Sequence, residues 1–280
     1  MEFINVNGKI LGPGKTFIRT DNHSYRYGDG LFETIKVADE RMLLSDLHFE
    51  RLWNGLAVLK FQIPNFFTRQ RLEKEIIILC KKNKCEKHAR ARLSISNGNG
   101  GLFDGDEKLQ YVIECWPLPG LAGQFNENGL VIGLFPDGKK TCDIFSNLKS
   151  ANHLLYAMGA RFGKENKLND CLIINEHNRI CDSTIANIFW IKSKCFYTPP
   201  LTEGCIAGVM RKNLIEKLQT LNYRFQEKIC GIPQLENADE IFLTNAIQGI
   251  RWVKRFRNKN YVNTETQEIY SKVFNYRNND

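Results

Sequence analysis

Apolar residues recur at three- and four-residue spacing in two early stretches of the chain, and each stretch predicts an amphipathic helix. The first follows Asp46, a candidate N-cap, and sets His48, Arg51, Leu52, Leu56 and Leu59 along one side. The second runs over residues 68–83, starting at the plausible cap Thr68, with Leu72, Ile76, Leu79 and Cys80 on one face. Around them the pattern shortens to that of strands. Residues 1–20 read as a strand pair about Asn7-Gly8, and 31–37 and 41–44 as strands joined by the polar turn Ala38-Asp39-Glu40. Residues 89–96 and 109–116 are strands on either side of a glycine-rich loop, 97–101. That loop follows a strand and leads into no helix, so neither phosphate-binding glycine fingerprint is met. It reads as a connection between two strands.

Residues 117–123 hold two prolines and two glycines, which break both helix and strand. The expected organisation is therefore an N-terminal α/β domain over 1–116, a linker over 117–125 and a C-terminal domain over 126–280. The second domain reads as strand 130–135, helix from about 150 to 162, strands 171–175 and 188–191, helix 207–221 and strand 240–244. The fold class is mixed α/β. No repeat or low-complexity segment is present, and the polar end 276–280 is expected to fray.

Composition narrows this without redirecting it. The 280 residues suffice for well-buried cores, and 42% hydrophobic with 25% charged residues is ordinary for a soluble globular protein. No apolar run is long enough for a transmembrane helix, and the first residues lack the basic-then-apolar pattern of a secretory signal. Nine cysteines are scattered without CxxC or metal-ligand spacing. Free thiols in a reducing cytoplasm are the expectation, with no metal site. The net charge of +8 could mean nucleic acid, but the basic residues are interleaved with acids, as with Glu73, Glu75 and Glu86 within 69–87. No nucleic-acid partner is expected. A spread positive balance also suits a phosphate-bearing cofactor and carboxylate substrates.

The candidate chemistry lies in two segments. Within 145–152, Lys149 stands between Leu148, Ser150, Ala151 and Asn152, where a helix is expected to begin. Within 181–190, Asp182 precedes the apolar run Ile188-Phe189-Trp190. A lysine in partly apolar surroundings has reason to lose its proton, and a neutral amine can form a Schiff base with an aldehyde cofactor. A buried carboxylate is what pyridoxal phosphate (PLP) requires against its ring nitrogen. Taken alone, the two segments suit a solvated lysine and a turn aspartate somewhat better.

More of the chain bears on the choice. In order come Arg26-Tyr27-Gly28-Asp29-Gly30-Leu31-Phe32-Glu33-Thr34, His48-x-x-Arg51-Leu52, the Lys149 segment, the Asp182 segment, the run from Gly204 to Arg211, and Leu243-Thr244-Asn245-Ala246. In this series the chain resembles the class IV, fold-type IV PLP enzymes, which comprise branched-chain and D-amino-acid aminotransferases and aminodeoxychorismate lyase. The resemblance implies a two-domain fold with a smaller N-terminal α/β domain and a larger, pseudo-barrel-like C-terminal one. It implies PLP as cofactor and a homodimer. Lys149 would be the Schiff-base lysine and the proton-transfer base, and Arg51 the phosphate arginine. Gly208, Val209 and Met210 would offer amides at a helix start. Asn245 and Ala246 would make a second phosphate or carboxylate contact, and Asn187 belongs to the cofactor-binding run. Asp182 stands where the family usually has Glu, one methylene shorter.

Tyr27 is a substrate-side candidate by the same resemblance. Arg90 and Arg92 alternate with Ala89 and Ala91 and so share a strand face; they could bind a substrate carboxylate or form a solvated face. Glu33-Thr34 and the Lys149 run look like the aminotransferases, whereas Ala186 to Trp190, Gly208 to Arg211 and Asn245-Ala246 look closer to the lyase. Leu102 stands where the lyase has an arginine. The reading is an aminotransferase acting on a small amino acid and 2-oxo acid pair. The alternative is aminodeoxychorismate lyase releasing pyruvate, and a cofactor-free binding protein on the same scaffold is a reading of another kind.

Overall fold

The protein is described from a computed structural model that covers all residues except 1, 14, 16, 17, 121 and 275–280. The expected frayed end, 276–280, lies outside the described residues. The chain forms two compact units, 1–122 with 148–153, and 123–147 with 154–280.

The first unit holds β1 (Ile4–Val6), β2 (Lys9–Leu11), α1 (His23–Tyr27), β3 (Gly30–Ala38), β4 (Arg41–Met42), α2 (Ser45–Val58), α3 (Arg69–Lys82), β5 (His88–Asn97) and β6 (Leu109–Pro117). Its strands make one antiparallel sheet in the order β2-β1-β6-β5-β3-β4. Two of its hairpins turn through paired positive-φ residues, Asn7-Gly8 and Asp39-Glu40, the geometry that matches strand twist. Leu72, Ile76, Leu79 and Cys80 of α3 are fully buried, as their spacing predicts. They pack with Leu52 and Leu56 of α2 and with Ile35, Ala91, Leu93 and Ile113 from the covered sheet face. Each fully buried Leu or Ile contributes about 1.5–3 kcal/mol relative to exposure.

The second unit holds β7 (Leu130–Lys140), α4 (Leu154–Glu165), β8 (Asp170–Asn175), β9 (Ile180–Ser183), β10 (Asn187–Lys192), β11 (Cys195–Thr198), α5 (Val209–Thr220), β12 (Arg224–Glu227), α6 (Ile232–Asn237), β13 (Glu240–Asn245), β14 (Gly249–Phe256), β15 (Lys259–Asn260) and α7 (Thr264–Phe274). Its sheet runs β12-β11-β10-β13-β14-β7-β8-β9, with β15 on β14. The β7 pairings with β14 and β8 are parallel, as is β11 with β12. β10 explains its own unbroken apolar run. Ile188 and Trp190 enter one core with Leu235, Val253 and Phe256, while Phe189 and Ile191 enter another with Leu214, Leu218 and Ile269. A strand buried on both faces has no polar side to show.

Four expectations change. Asp46 does not cap α2; Leu44 holds that position at φ 56° without a side-chain bond. The helix expected from about 150 starts at Leu154, and 148–153 belong to the first unit rather than to a second domain of 126–280. The reason is backbone pairing: Phe32 N donates to Lys149 O at 2.9 Å and Ala151 N to Gly30 O at 2.8 Å. Asp182 lies on β9, opposite Ile173, and not on a turn. The division between the units falls at 122/123, and β6 runs on through Pro117.

Candidate active site

In the first unit, residues 148–153 lie along β3 with Leu31 and Ser150 bridged. Leu148 reaches the core over Gly55, where a Cβ would come within 2.8 Å of Leu31. Gly28, at φ 68°, caps α1 and lies so close to Asn152 that a Cβ would meet it at 3.2 Å. Tyr27, the last residue of α1, is thus brought beside this segment, with its ring edge-on to His23. The Lys149 amine lies 4.5 Å from the centre of the Phe32 ring, and the Arg92 guanidinium lies 3.8 Å from the same ring. Arg92 also donates from Nε to Ser94 at 3.0 Å, and no ion pair to it is present among the described residues. Burial lowers its pKa, opposed by the Glu114 charge. Of the two strand arginines, then, Arg92 shares a ring with Lys149, whereas exposed Arg90 lies over Trp116.

Arg51 is held from within this unit. Glu33, on the buried face of β3, accepts from Arg51 Nε at 2.8 Å and from a second guanidinium nitrogen. Its other neighbour is His48 Nδ1, at 2.6 Å. Burial alone would raise the Glu33 carboxyl, but the Arg51 charge and the His48 imidazole outweigh it and hold the pKa at about 2. The motifs that contain Glu33 and His48 assign neither residue a task. A signal was present: an acid among Leu31, Ile35 and Val37 on an apolar strand face needs a partner, and His48 and Arg51 are one helical turn apart.

In the second unit, Asp182 is 2% exposed and heavily bonded. Its Oδ2 accepts from Tyr156 OH at 2.8 Å, Ile206 N at 2.9 Å and Lys140 Nζ at 3.2 Å. Its Oδ1 accepts from Asn187 Nδ2 at 2.9 Å. Oδ2 thus carries three donors and Oδ1 one, so Oδ1 is the less committed oxygen and the one to which a ring N–H donor could add. Burial and then the Asp182 charge keep the Tyr156 phenol well above its ordinary value, protonated and donating. Tyr156 and Lys140 escaped the sequence reading because they lie 26 and 42 residues from Asp182 in the chain.

Asn187 also donates to Ile206 O at 2.8 Å, and its Oδ1 would lie 1.8 Å from a Cβ on Gly208. Gly208 is the N-cap of α5, so Val209 and Met210 open that helix and leave amide donors there. Thr244 pairs with Asn187 across β10 and β13, and its hydroxyl is buried with no partner among the described residues. Asn245 spends its side-chain oxygen on Ile247 N and Gln248 N, closing the turn that carries Ala246. A helix start and an unanswered hydroxyl fit a phosphate, and a buried carboxylate at Asp182 fits a pyridinium. The donor set suits PLP.

Comparison with known proteins agrees. The family model for amino-transferase class IV matches residues 30–256. Aminodeoxychorismate lyase of Bacillus subtilis (strain 168) is 28% identical over 269 residues, 92% of this chain and 88% of that protein. The Vibrio harveyi protein of the same name is 26% identical over 244 residues, 86% of this chain and 88% of its own. In structure, a hypothetical aminotransferase from Mycobacterium tuberculosis in its PLP-bound form superposes with a TM-score of 0.82 at 17% identity, over 97% of this chain and 96% of that one. The chain belongs to the class IV aminotransferase family and has the fold-type IV architecture of mixed α and β elements. It is a PLP-dependent enzyme. Among the described residues no helix is long and apolar enough to cross a membrane.

Proposed function

We propose that this chain is an aminotransferase acting on a small amino acid and 2-oxo acid pair. The observation that carries the reading is the shared ring of Phe32, with the Lys149 amine and the Arg92 guanidinium both against it. An amino acid offers an amine beside a carboxylate, and these are the two groups that such a lysine and arginine would meet. PLP, when bound, supplies the electron sink that stabilises charge on the substrate carbon. Lys149 would hold the cofactor through its amine, and the same amine could take the substrate Cα proton and give it back. One base can do both because the two positions are neighbours. Asp182 would face the ring nitrogen, and Lys140, Tyr156, Asn187 and the Ile206 amide fix where its carboxylate points. Arg51, aligned by Glu33, is the first unit's candidate for binding phosphate, and the amides of Gly208, Val209 and Met210 with the turn at Asn245 and Ala246 are the second unit's. Thr244 joins them through its hydroxyl. Arg92 takes the substrate carboxylate, with Arg90 and Tyr27 as outer contacts. The enzyme works as a cytoplasmic homodimer, as the family resemblance suggests.

The lyase reading is favoured by Asn245-Ala246 and by the two relatives named aminodeoxychorismate lyase. The test is incubation of the PLP-loaded protein with L- and D-amino acids plus 2-oxo acids, and separately with aminodeoxychorismate. Amino-group transfer between an amino acid and a 2-oxo acid is the expected result. Pyruvate release from aminodeoxychorismate, with no transfer to any 2-oxo acid, would overturn the aminotransferase reading in favour of the lyase. Light scattering gives the oligomeric state, and a fully active monomer would remove the dimer.

A further inference from the structure

Outside these clusters, three side chains of different chemistry converge on the second unit's surface. Cys142 follows the end of β7, and Glu176 and His177 form the β8–β9 hairpin. Their sulfur, carboxylate oxygen and imidazole nitrogen all lie within 4.8 Å of one another. The hairpin is held from below. Buried Asn175 accepts from His177 N and Arg179 N, both at 3.0 Å, and donates to Glu203. Glu176 N donates to Lys140 O at 2.9 Å, and Cys142 N donates to Glu176 Oε1 at 2.7 Å. The carboxylate is therefore already turned toward Cys142 by the backbone.

We infer that Cys142, Glu176 and His177 form a binding site for a zinc-class divalent cation. One thiolate, one imidazole and one carboxylate are borderline donors of the kind zinc takes, whereas calcium and magnesium require a shell of oxygens. Around a tetrahedral zinc such donors stand about 3.5 Å apart. The trio must close by roughly 1 Å, which exposed Glu176 and His177 can supply by side-chain rotation. Charge also balances: a divalent cation, a thiolate and a carboxylate sum to zero, so no net charge is left at the site. With three protein ligands a fourth position stays open to water or a small anion.

The three buried thiols of Cys80, Cys85 and Cys115 are the competing place. They lie in the first unit's apolar core, where an uncompensated metal thiolate would be costly to bury and has no solvent path. The Cys142 site has neither difficulty. It was invisible in the sequence because Cys142 and Glu176 are 34 residues apart and share no motif.

The test uses the full-length, PLP-loaded protein stripped with a chelator and titrated with zinc against a chromophoric competitor. Cobalt(II) serves as a second probe, through its thiolate charge-transfer absorption. One zinc per chain should bind and raise the melting temperature, since the ion favours the folded state. Cys142→Ser and His177→Ala should each weaken binding at least about 100-fold and remove the thermal shift. Cys115→Ser should leave zinc binding unchanged. Absence of stoichiometric binding, binding that survives Cys142→Ser, or loss confined to Cys115→Ser would each overturn the site.

Discussion

Glu33 and Asp182 are both buried carboxylates, each 2% exposed, yet the chain partners them by different means. Glu33 is answered by charge, from Arg51 and the imidazole of His48. Asp182 is answered mainly by neutral donors: a phenol, a carboxamide and a backbone amide, with Lys140 as the one cation. The difference separates two tasks. A carboxylate that grips a guanidinium fixes where that cation points and has little left to offer. A carboxylate held by neutral hydrogen bonds keeps most of its negative charge for something else. On the proposed function, Glu33 is thus a positioning residue acting through Arg51, and Asp182 is the carboxylate proposed to meet a cationic ring.

The largest expected effect breaks the second half of that contrast. Asp182→Asn should leave PLP attached to Lys149, visible as an absorption band that borohydride abolishes. Turnover should fall by about 10²–10⁴-fold, because the lysine would abstract its proton without a protonated ring to receive the charge. Single-turnover decay of the band measures this directly. An Asn variant with wild-type decay would return Asp182 to a purely structural role.

Next in size are the two ends of the Glu33 cluster. Arg51→Ala should weaken PLP binding by about 2–4 kcal/mol, with the Lys149 attachment intact once PLP is saturating. Glu33→Gln leaves the arginine in place but unaligned, and should cost about 3–5 kcal/mol of stability as a broken buried pair. Its pH dependence has a definite sign. The folded pKa is depressed to about 2, so the stabilisation is complete above the unfolded value of about 4.3 and is lost as pH falls toward 2. Urea titrations of wild type and Glu33→Gln should therefore differ most above about pH 5 and converge in acid. A constant difference from pH 7 to 3 would contradict the pairing.

The contrast was half legible in the sequence. Periodicity placed α3 and its buried face, and the strands around 97–101, because local spacing and burial agree there. Lys149, Arg51 and Asp182 were singled out as candidates through motifs. What surrounds them was not, for an identifiable reason. The partners of Asp182 come from β7, α4, β10 and the segment before α5, so no local window contains them. β9 itself was missed because Cys181, Asp182 and Ser183 carry no apolar alternation, and its pairing to β8 alone makes it a strand. The start of α4 was misjudged because the segment before it pairs with β3 through the backbone of Lys149 and Ala151, which side-chain spacing does not reveal. The Cys142 trio arises from tertiary convergence of the same sort.

The smallest expected effect sharpens the comparison further, because it concerns a polar group with no internal answer among the described residues. The Thr244 hydroxyl is buried and unpartnered there, unlike every oxygen of Glu33 and Asp182. Left unmade, such a bond costs about 1–3 kcal/mol, so the position is destabilising unless something arrives to accept it. Valine has the same shape without the hydroxyl. In the cofactor-free protein, Thr244→Val should therefore raise the melting temperature slightly or leave it unchanged. With PLP the sign should reverse, because the variant loses a hydrogen bond to an anionic phosphate. Affinity should fall by about tenfold, the scale of one charge-assisted bond. Fluorescence titration with PLP, run beside thermal melts of both proteins without it, reads the two signs independently. If valine destabilises the cofactor-free protein and leaves PLP affinity untouched, the hydroxyl has an internal role and does not belong to the phosphate site.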